Sequence, residues 1–143
     1  MMDTPPDPAL PISEFAFPGP LRDALVAAIL SGEKTATSTL LREHEAEGTE
    51  PRMLLGTREV VVDSDNRPVC VIETTDVVIR RFGDVDDEFA RAEGEGFATS
   101  GEWASAHRGF WHSTEYREAI GDPHFTVSED TPVVCTRFRV VRR

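Results

Sequence analysis

A single lysine stands inside a dense run of hydroxyls in Gly32-Glu33-Lys34-Thr35-Ala36-Thr37-Ser38-Thr39. An ammonium at the end of four methylenes serves as a fixed positive charge or, once desolvated, as a base beside a weak alcohol nucleophile. Either use suits a polar, anionic or carbonyl-bearing ligand. On a regular strand Lys34 and Thr37 point to opposite faces, whereas a turn or helical stretch puts residues three apart on one side. Cooperation between the two therefore requires an irregular backbone. The plainer readings are a hydroxyl-lined strand and a lysine placed where a helix C-terminus favours a cation.

A second chemistry-bearing segment is Glu93-Gly94-Glu95-Gly96, in which glycines allow a tight turn and close approach, so that a carboxylate can be aimed into a cleft. An exposed acidic turn is the alternative. Trp103, His107, Phe110 and Trp111 lie at i, i+4, i+7 and i+8 and share one helix face. The rings read as core, and His107 reads as a hydrogen-bonded histidine packed among them. Tyr116, the only tyrosine, is expected farther along the same helix as a phenolic donor or a rim residue. Arg80-Arg81 is a solvated strand end or a phosphate contact, and Arg137 with Arg139 shares a strand face that offsets the acidic body or meets a phosphate. His44, His107, His112 and His124 show no ligand spacing, and there is no HExxH or paired-cysteine pattern, so no metal is expected. The glycines form neither a dinucleotide fingerprint nor a phosphate loop, and no cofactor is expected.

The elements that position these groups follow from periodicity and punctuation. Residues 1–12, rich in Pro and Asp, read as a flexible tail, and 13–143 as one domain. Pro20 opens a helix that Gly32 ends, with Leu21, Leu25, Ala28 and Ile29 at helical spacing. An acidic stretch without clear period, 42–51, leads to a strand over 59–63, a turn at Ser64-Asp65-Asn66-Arg67 and a longer strand region over 69–80, which together predict a hairpin. A short helix capped by Asp84 or Asp86 carries Phe89 and Ala92 inward and stops at Gly94. Thr99-Ser100-Gly101-Glu102 predicts a capping box for the aromatic helix, and 132–141 reads as a closing strand. These elements give an α+β fold. Cys70 and Cys135 sit in strand-like runs and are expected to be buried thiols. A net charge of −11 repels a polyanion at long range, which argues against bulk duplex DNA and confines any nucleic-acid contact to a local patch. No apolar run approaches a membrane span and the opening residues lack a signal-peptide pattern, so a cytoplasmic protein is expected.

Taken in order, the helix ending at Gly32, Glu33-Lys34-Thr35-Ala36-Thr37, the hairpin, Phe89-Ala90-Arg91-Ala92-Glu93-Gly94-Glu95-Gly96, and Trp103 with His107 and Phe110 resemble an ASCH domain over most of residues 15–142. The resemblance implies a small mixed β-barrel of PUA-like type with helices packed around it and a cleft between the two. It also implies RNA or a modified nucleoside as partner: a short bacterial branch comprises N4-acetylcytidine amidohydrolases using Lys, Thr and Glu, and another includes ribonuclease activity. Carried onto this chain, those roles fall on Lys34, Thr37 and Glu93, with Thr35, Ser38, Glu95, Arg80, Arg81, Trp103 and Tyr116 as substrate contacts. The short branch commonly has an arginine where this chain has Thr39. An amidohydrolase of N4-acylated cytidine is thus one expectation. The others are a single-stranded RNA-binding module, in which Lys34, Arg80 and Arg81 meet the backbone and Trp103 or Tyr116 stacks a base, and a ribonuclease using Lys34 with Tyr116 or Ser113.

Overall fold

The computed structural model describes residues 10–143. The described elements run β1 (Ile12–Ser13), α1 (Pro20–Ser31), β2 (Ala36–Leu40), α2 (Leu41–Glu47), β3 (Arg58–Val62), β4 (Pro68–Arg81), α3 (Asp87–Ala92), α4 (Ser100–Trp111), α5 (Thr114–Ile120) and β5 (Pro132–Arg142). Strands pair in the order β1-β3-β4-β5-β2, antiparallel throughout except for β1, which runs parallel to β3. The fold is α+β. Its sheet is open: β1 and β2 form the two edges, and a two-residue β1 offers too little ladder to close a barrel, so the implied barrel is not seen. Of the expected tail, residues 1–9 lie outside the described residues. Residues 10–12 belong to the fold, since Leu10 packs on Val60, Val62 and Val71, and Val60 N–H donates to Pro11 O at 2.9 Å.

Pro20 at the start of α1 lacks an N–H the first turn would leave unpaired, and Gly32 ends the helix at φ 88°, its N–H donating to Ile29 O. The inward face is rotated from the expected one. Arg22, Leu25, Val26 and Ile29 are buried, whereas Leu21 is 48% exposed. Arg22, only 1% exposed, donates to Phe15 O, Ala16 O, Asp63 O and the Glu14 carboxylate, so its charge replaces a hydrophobe by satisfying three backbone carbonyls.

The 42–51 stretch is not irregular throughout: α2 occupies its first half, with the Glu43 carboxylate accepting from Leu40 N–H. The hairpin turn forms at 64–67 as expected, Asp63 Oδ1 accepting from the N–H of Asp65 and of Arg67. Register shifts between Val71 and Ile72 and between Thr74 and Asp76 bend the long β4 over the helices. Asp86 caps α3, and Thr99 Oγ1 accepts from Glu102 N–H to cap α4. The other half of the expected capping box is displaced by one residue, because the Glu102 carboxylate accepts from Ala98 N–H. Tyr116 lies on a separate helix: α4 stops at Trp111, and Ser113 Oγ caps α5 by accepting from Tyr116 N–H.

Two apolar clusters pack against the sheet. Phe15, Leu25, Val26 and Ile29 pack on Val61, Cys70, Ile72 and Phe138, while Phe89, Trp103, Trp111, Tyr116 and Phe125 pack on Ala36, Leu40, Val133 and Cys135. Burial pushes the Cys70 thiol up to about 11 and the Cys135 thiol up to about 12, which leaves both unreactive. Among the described residues, no helix is long and apolar enough to cross a membrane.

Replacing Arg22 with Met strands the carbonyls of Phe15, Ala16 and Asp63. The expected loss is about 3 kcal/mol of folding stability, read from urea titration.

Candidate functional site

Lys34 leaves α1 two residues after its glycine cap and enters the protein before β2 begins. Its N–H donates to Ala28 O at 3.0 Å, Thr35 N–H donates to Ala92 O at 2.9 Å, and Phe138 N–H donates to Thr35 O at 3.0 Å. The lysine segment is thereby stitched to α1, to the end of α3 and to β5. This is the irregular backbone that the Lys34-Thr37 spacing demands: Lys34 precedes the strand, and Thr37 lies within it.

The approach of α3 depends on Gly94. At φ +66° it takes a conformation that disfavours a side chain, and a Cβ there would lie 2.3 Å from Glu33 O and 2.6 Å from Lys34 Cα. With hydrogen in that place, Glu93 and Glu95 straddle the lysine. Nζ donates to Ala36 O at 2.9 Å, to Glu93 O at 3.2 Å and to Glu95 Oε2 at 3.2 Å, so each ammonium N–H has an acceptor. Glu93 Oε1 stands 3.6 Å from Nζ.

Glu93 is fully buried, 0% exposed, and its two oxygens differ. Oε2 accepts from Trp103 Nε1 at 2.5 Å and from Ser38 Oγ at 2.8 Å. Oε1 has two nitrogen neighbours at ion-pair distance, Lys34 Nζ and, at 3.2 Å, His107 Nε2, yet neither reaches it with hydrogen-bond geometry. Burial alone pushes the Glu93 carboxyl up, but His107, Lys34 and the Trp103 N–H together outweigh it and hold the group down to about 2. The Glu95 carboxyl moves the other way: burial raises it, Lys34 opposes, and the negative charge of Glu93 adds to the rise. Two carboxylates on one lysine are thus driven apart, one as a fixed anion and one as a readier proton acceptor.

Lys34, Thr37, Ser38, Glu93, Glu95 and Tyr116 line a single cavity of about 720 Å³ at the seam between the two apolar clusters. Phe15 and Leu25 wall it from the α1 side, Trp111 and Tyr116 from the other. Tyr116 donates to Glu43 Oε2 at 2.8 Å, and burial with that carboxylate holds its phenol above the ordinary range. The other expected contacts lie elsewhere. Thr35 is exposed and bonds Ala92 O. Arg80 is exposed on β4, and Arg81 is exposed and paired with Asp84 and Asp130. Trp103 is fully buried behind Glu93, with His107 stacked on its ring at 4.4 Å, so it cannot stack a base. Ser113 is spent as a helix cap. Arg137 and Arg139 pair with Glu88 and Glu73, which is the charge-offsetting reading.

The spacing argument undervalued His107 and did not find Glu43. His107 lines the cavity as well as packing in the aromatic stripe. Glu43 carried no signal, because what makes it part of the cavity is its bond to Tyr116, 73 positions away. Ligand atoms of Glu93, Glu95 and His107 lie within 4.8 Å of one another, a metal-like grouping, but the Lys34 ammonium already serves both carboxylates as their cation.

The sequence profile of the ASCH domain matches residues 14–142. The chain belongs to the ASCH domain family. Solved structures resemble the chain over most of its length. An ASCH domain from Lactobacillus crispatus JV V101 is 29% identical at a TM-score of 0.75, over 93% of this chain and 81% of that one. Protein EF3133 of Enterococcus faecalis V583 is also 29% identical, at a TM-score of 0.69, over 83% of this chain and 68% of that one. Hypothetical protein PH0355, 14% identical at a TM-score of 0.52 over 90% of this chain and 95% of that one, shares the fold. No curated protein matches the chain.

Two predictions test how this ASCH site is built. Gly94→Ala drives a methyl into backbone atoms and is expected to cost at least about 2 kcal/mol. Gly96→Ala, whose Cβ meets nothing within 4 Å, is expected to cost only about 1 kcal/mol of backbone strain, both read by thermal unfolding. The folded-state value of Glu93, about 2, lies below the ordinary 4.5, so its stabilisation is present above pH 4.5 and is lost as pH falls toward 2. Glu93→Gln is expected to flatten the pH dependence of unfolding in that window.

Proposed function

We propose that this ASCH protein is an amidohydrolase of an uncharged N-acylated nucleoside, of the N4-acylcytidine type. The observation that carries the reading is one cavity that collects Lys34, Thr37 and Glu93 while offering an anion little. Glu14, Glu43, Glu47, Glu93 and Glu95 line it, against Arg22, Lys34 and Arg42, and each of those three bases is already paired with a carboxylate. Such a lining favours a neutral ligand and works against a phosphate chain. Its volume suits a nucleoside, since small-molecule pockets run from about 300 to about 1,000 Å³.

In the proposed reaction Thr37 Oγ attacks the acyl carbon. Lys34 takes the hydroxyl proton as it passes one of its own to Glu95, the acceptor 3.2 Å away whose carboxyl is raised by burial. The C–N bond breaks as the base nitrogen takes that proton back from Glu95 through Lys34, and an acyl-Thr37 ester remains. Water then attacks the ester and gives a proton to Glu95 through Lys34, and the same route returns that proton to Thr37 Oγ as the acid departs. Throughout, Glu93 remains the anion that fixes the lysine.

The RNA-binding reading is weaker on this geometry, because Arg81 is taken by Asp84 and Asp130 and Trp103 is buried. Purified protein is expected to release cytidine from N4-acetylcytidine, followed by chromatography, with little change between low and moderate salt. Lys34→Ala and Thr37→Ala are each expected to lower kcat at least about a hundredfold. Unimpaired turnover in Thr37→Ala would remove the nucleophile. Salt-sensitive retention of single-stranded RNA without turnover would replace the enzyme by a binding module.

A further inference from the structure

An acyl oxygen that turns negative in a tetrahedral intermediate needs a fixed hydrogen-bond donor, and the side-chain donors around Lys34 are already committed. The three ammonium N–H groups of Lys34 go to Ala36 O, Glu93 O and Glu95 Oε2. Ser38 Oγ and Trp103 Nε1 both donate to Glu93, Tyr116 donates to Glu43, and Thr39 Oγ1 is bonded to His44 Nε2. Arg22 is held by three carbonyls and Glu14, and Arg42 is paired with Asp122. The main chain of β2 offers a donor that is not committed.

β2 is an edge strand, bonded to β5 on one side only. Along an antiparallel strand one residue turns both its N–H and its C=O toward the partner, and the next turns both away. Phe138 N–H donates to Thr35 O, and the register sets Ala36 opposite Arg137. Thr35, Thr37 and Thr39 therefore face β5, while Ala36, Ser38 and Leu40 face the open edge. Two side chains agree with this phase, since Lys34 Nζ donates to Ala36 O at 2.9 Å and Leu40 N–H donates to Glu43 Oε2 at 3.3 Å. Between those two plugs, no side chain or loop among the described residues bonds Ser38 N–H. Lys34, Ser38 and Glu43 all line the cavity, so the stretch of edge between the plugs opens into it. One free residue is too short a ladder for an added strand, and it suits a small ligand instead.

Resting on the amidohydrolase reading, we propose that the main-chain N–H of Ser38 is the oxyanion donor for the acyl group attacked by Thr37. Ser38 directly follows the nucleophile, the position whose N–H also serves the oxyanion where a serine nucleophile sits on a strand-to-helix turn. As Thr37 Oγ bonds the acyl carbon, the C=O π pair moves onto oxygen, and that oxygen accepts from Ser38 N–H. The Lys34 ammonium is held two residues back along the same edge, at Ala36 O, and adds positive field. The electron pair returns to remake the C=O as the C–N bond breaks. The same N–H serves the second intermediate, formed when water attacks the acyl-Thr37 ester. Ser38 transfers no proton. Its contribution is a dipole whose direction the strand fixes before charge develops.

Replacing the Thr37–Ser38 amide with an ester, by placing the α-hydroxy analogue of serine at position 38, removes this N–H and keeps the side chain. On N4-acetylcytidine, kcat is expected to fall about a hundredfold to a thousandfold, with KM changed by less than about threefold. Thermal unfolding accompanies the kinetics. The ester at position 38 is expected to melt close to wild type, because its N–H is not in the ladder, whereas an ester at Thr39, whose N–H faces β5, is expected to melt lower. A position-38 ester that melts as low as the Thr39 one, or fails to fold, would overturn the proposal by showing that the N–H is already bonded. A folded ester variant with kcat within about fivefold of wild type would overturn it and leave the amidohydrolase reading standing. Amide exchange needs no substrate: Ser38 N–H in the wild type is expected to exchange at least about a hundredfold faster than the N–H of Thr37 or Thr39. Equal protection at all three would overturn the proposal. Wild type inert on N4-acetylcytidine would overturn the amidohydrolase reading, and this inference with it.

Discussion

Two opposite charges, Lys34 and Glu93, are held with almost no access to water, and most of the surrounding architecture can be understood as what makes that tolerable. Removing an ammonium and a carboxylate from water costs several kcal/mol per ion, and mutual attraction repays it only when the remaining hydrogen-bonding capacity is filled. Here Lys34 has Ala36 O, Glu93 O and Glu95, and Glu93 has Ser38 and Trp103 on one oxygen. The other oxygen faces two positive or proton-bearing groups without being consumed by either. A ligand group entering the cavity beside this pair meets an electrostatic field already in place.

The cavity exists because the helices form two cores instead of one. Helix α1 packs on the β3-β4 end of the sheet, while α3, α4 and α5 pack nearer β2 and β5. Between them the segment around Phe15 forms a wall, and buried Arg22 holds it by bonding the carbonyls of Phe15 and Ala16. A charged residue in a core position is costly unless fully bonded, and Arg22 meets that condition across two chain segments. The same physics therefore sets both the wall and the chemical end: buried charge accepted where backbone carbonyls would otherwise lack donors.

Acidity at the surface and in the cavity carries a consistent message about ligands. The chain has a net charge of −11, and the arginines that looked available for phosphate are paired with carboxylates at its surface. ASCH membership ties the protein to a family with RNA-linked relatives. Within that setting, this chain's charge distribution is what favours the proposed small neutral ligand over a polymer.

Local sequence rules carried far into this structure. Pro20 and Gly32 bounded α1, Asp86 and Thr99 capped their helices, the hairpin turn formed at 64–67, and both cysteines are buried, because each depends on near neighbours or on strand alternation. The hydroxyl-rich lysine segment and the Glu-Gly-Glu-Gly turn were also legible as a candidate site, through residue chemistry and through likeness to a family. Other features were not. Arg22 replaced Leu21 inside because three carbonyls, that of Asp63 far along the chain, needed a donor, and Tyr116 left the aromatic helix because Ser113 capped a new one. Glu43 entered the cavity through Tyr116, and His107 became more than packing by meeting Glu93. Sequence by itself determined which groups could ionise, turn or cap, since those are properties of residues and their neighbours. Tertiary structure alone decided which of them share a cavity and which are neutralised at the surface, because burial and pairing depend on distances between segments far apart in the chain.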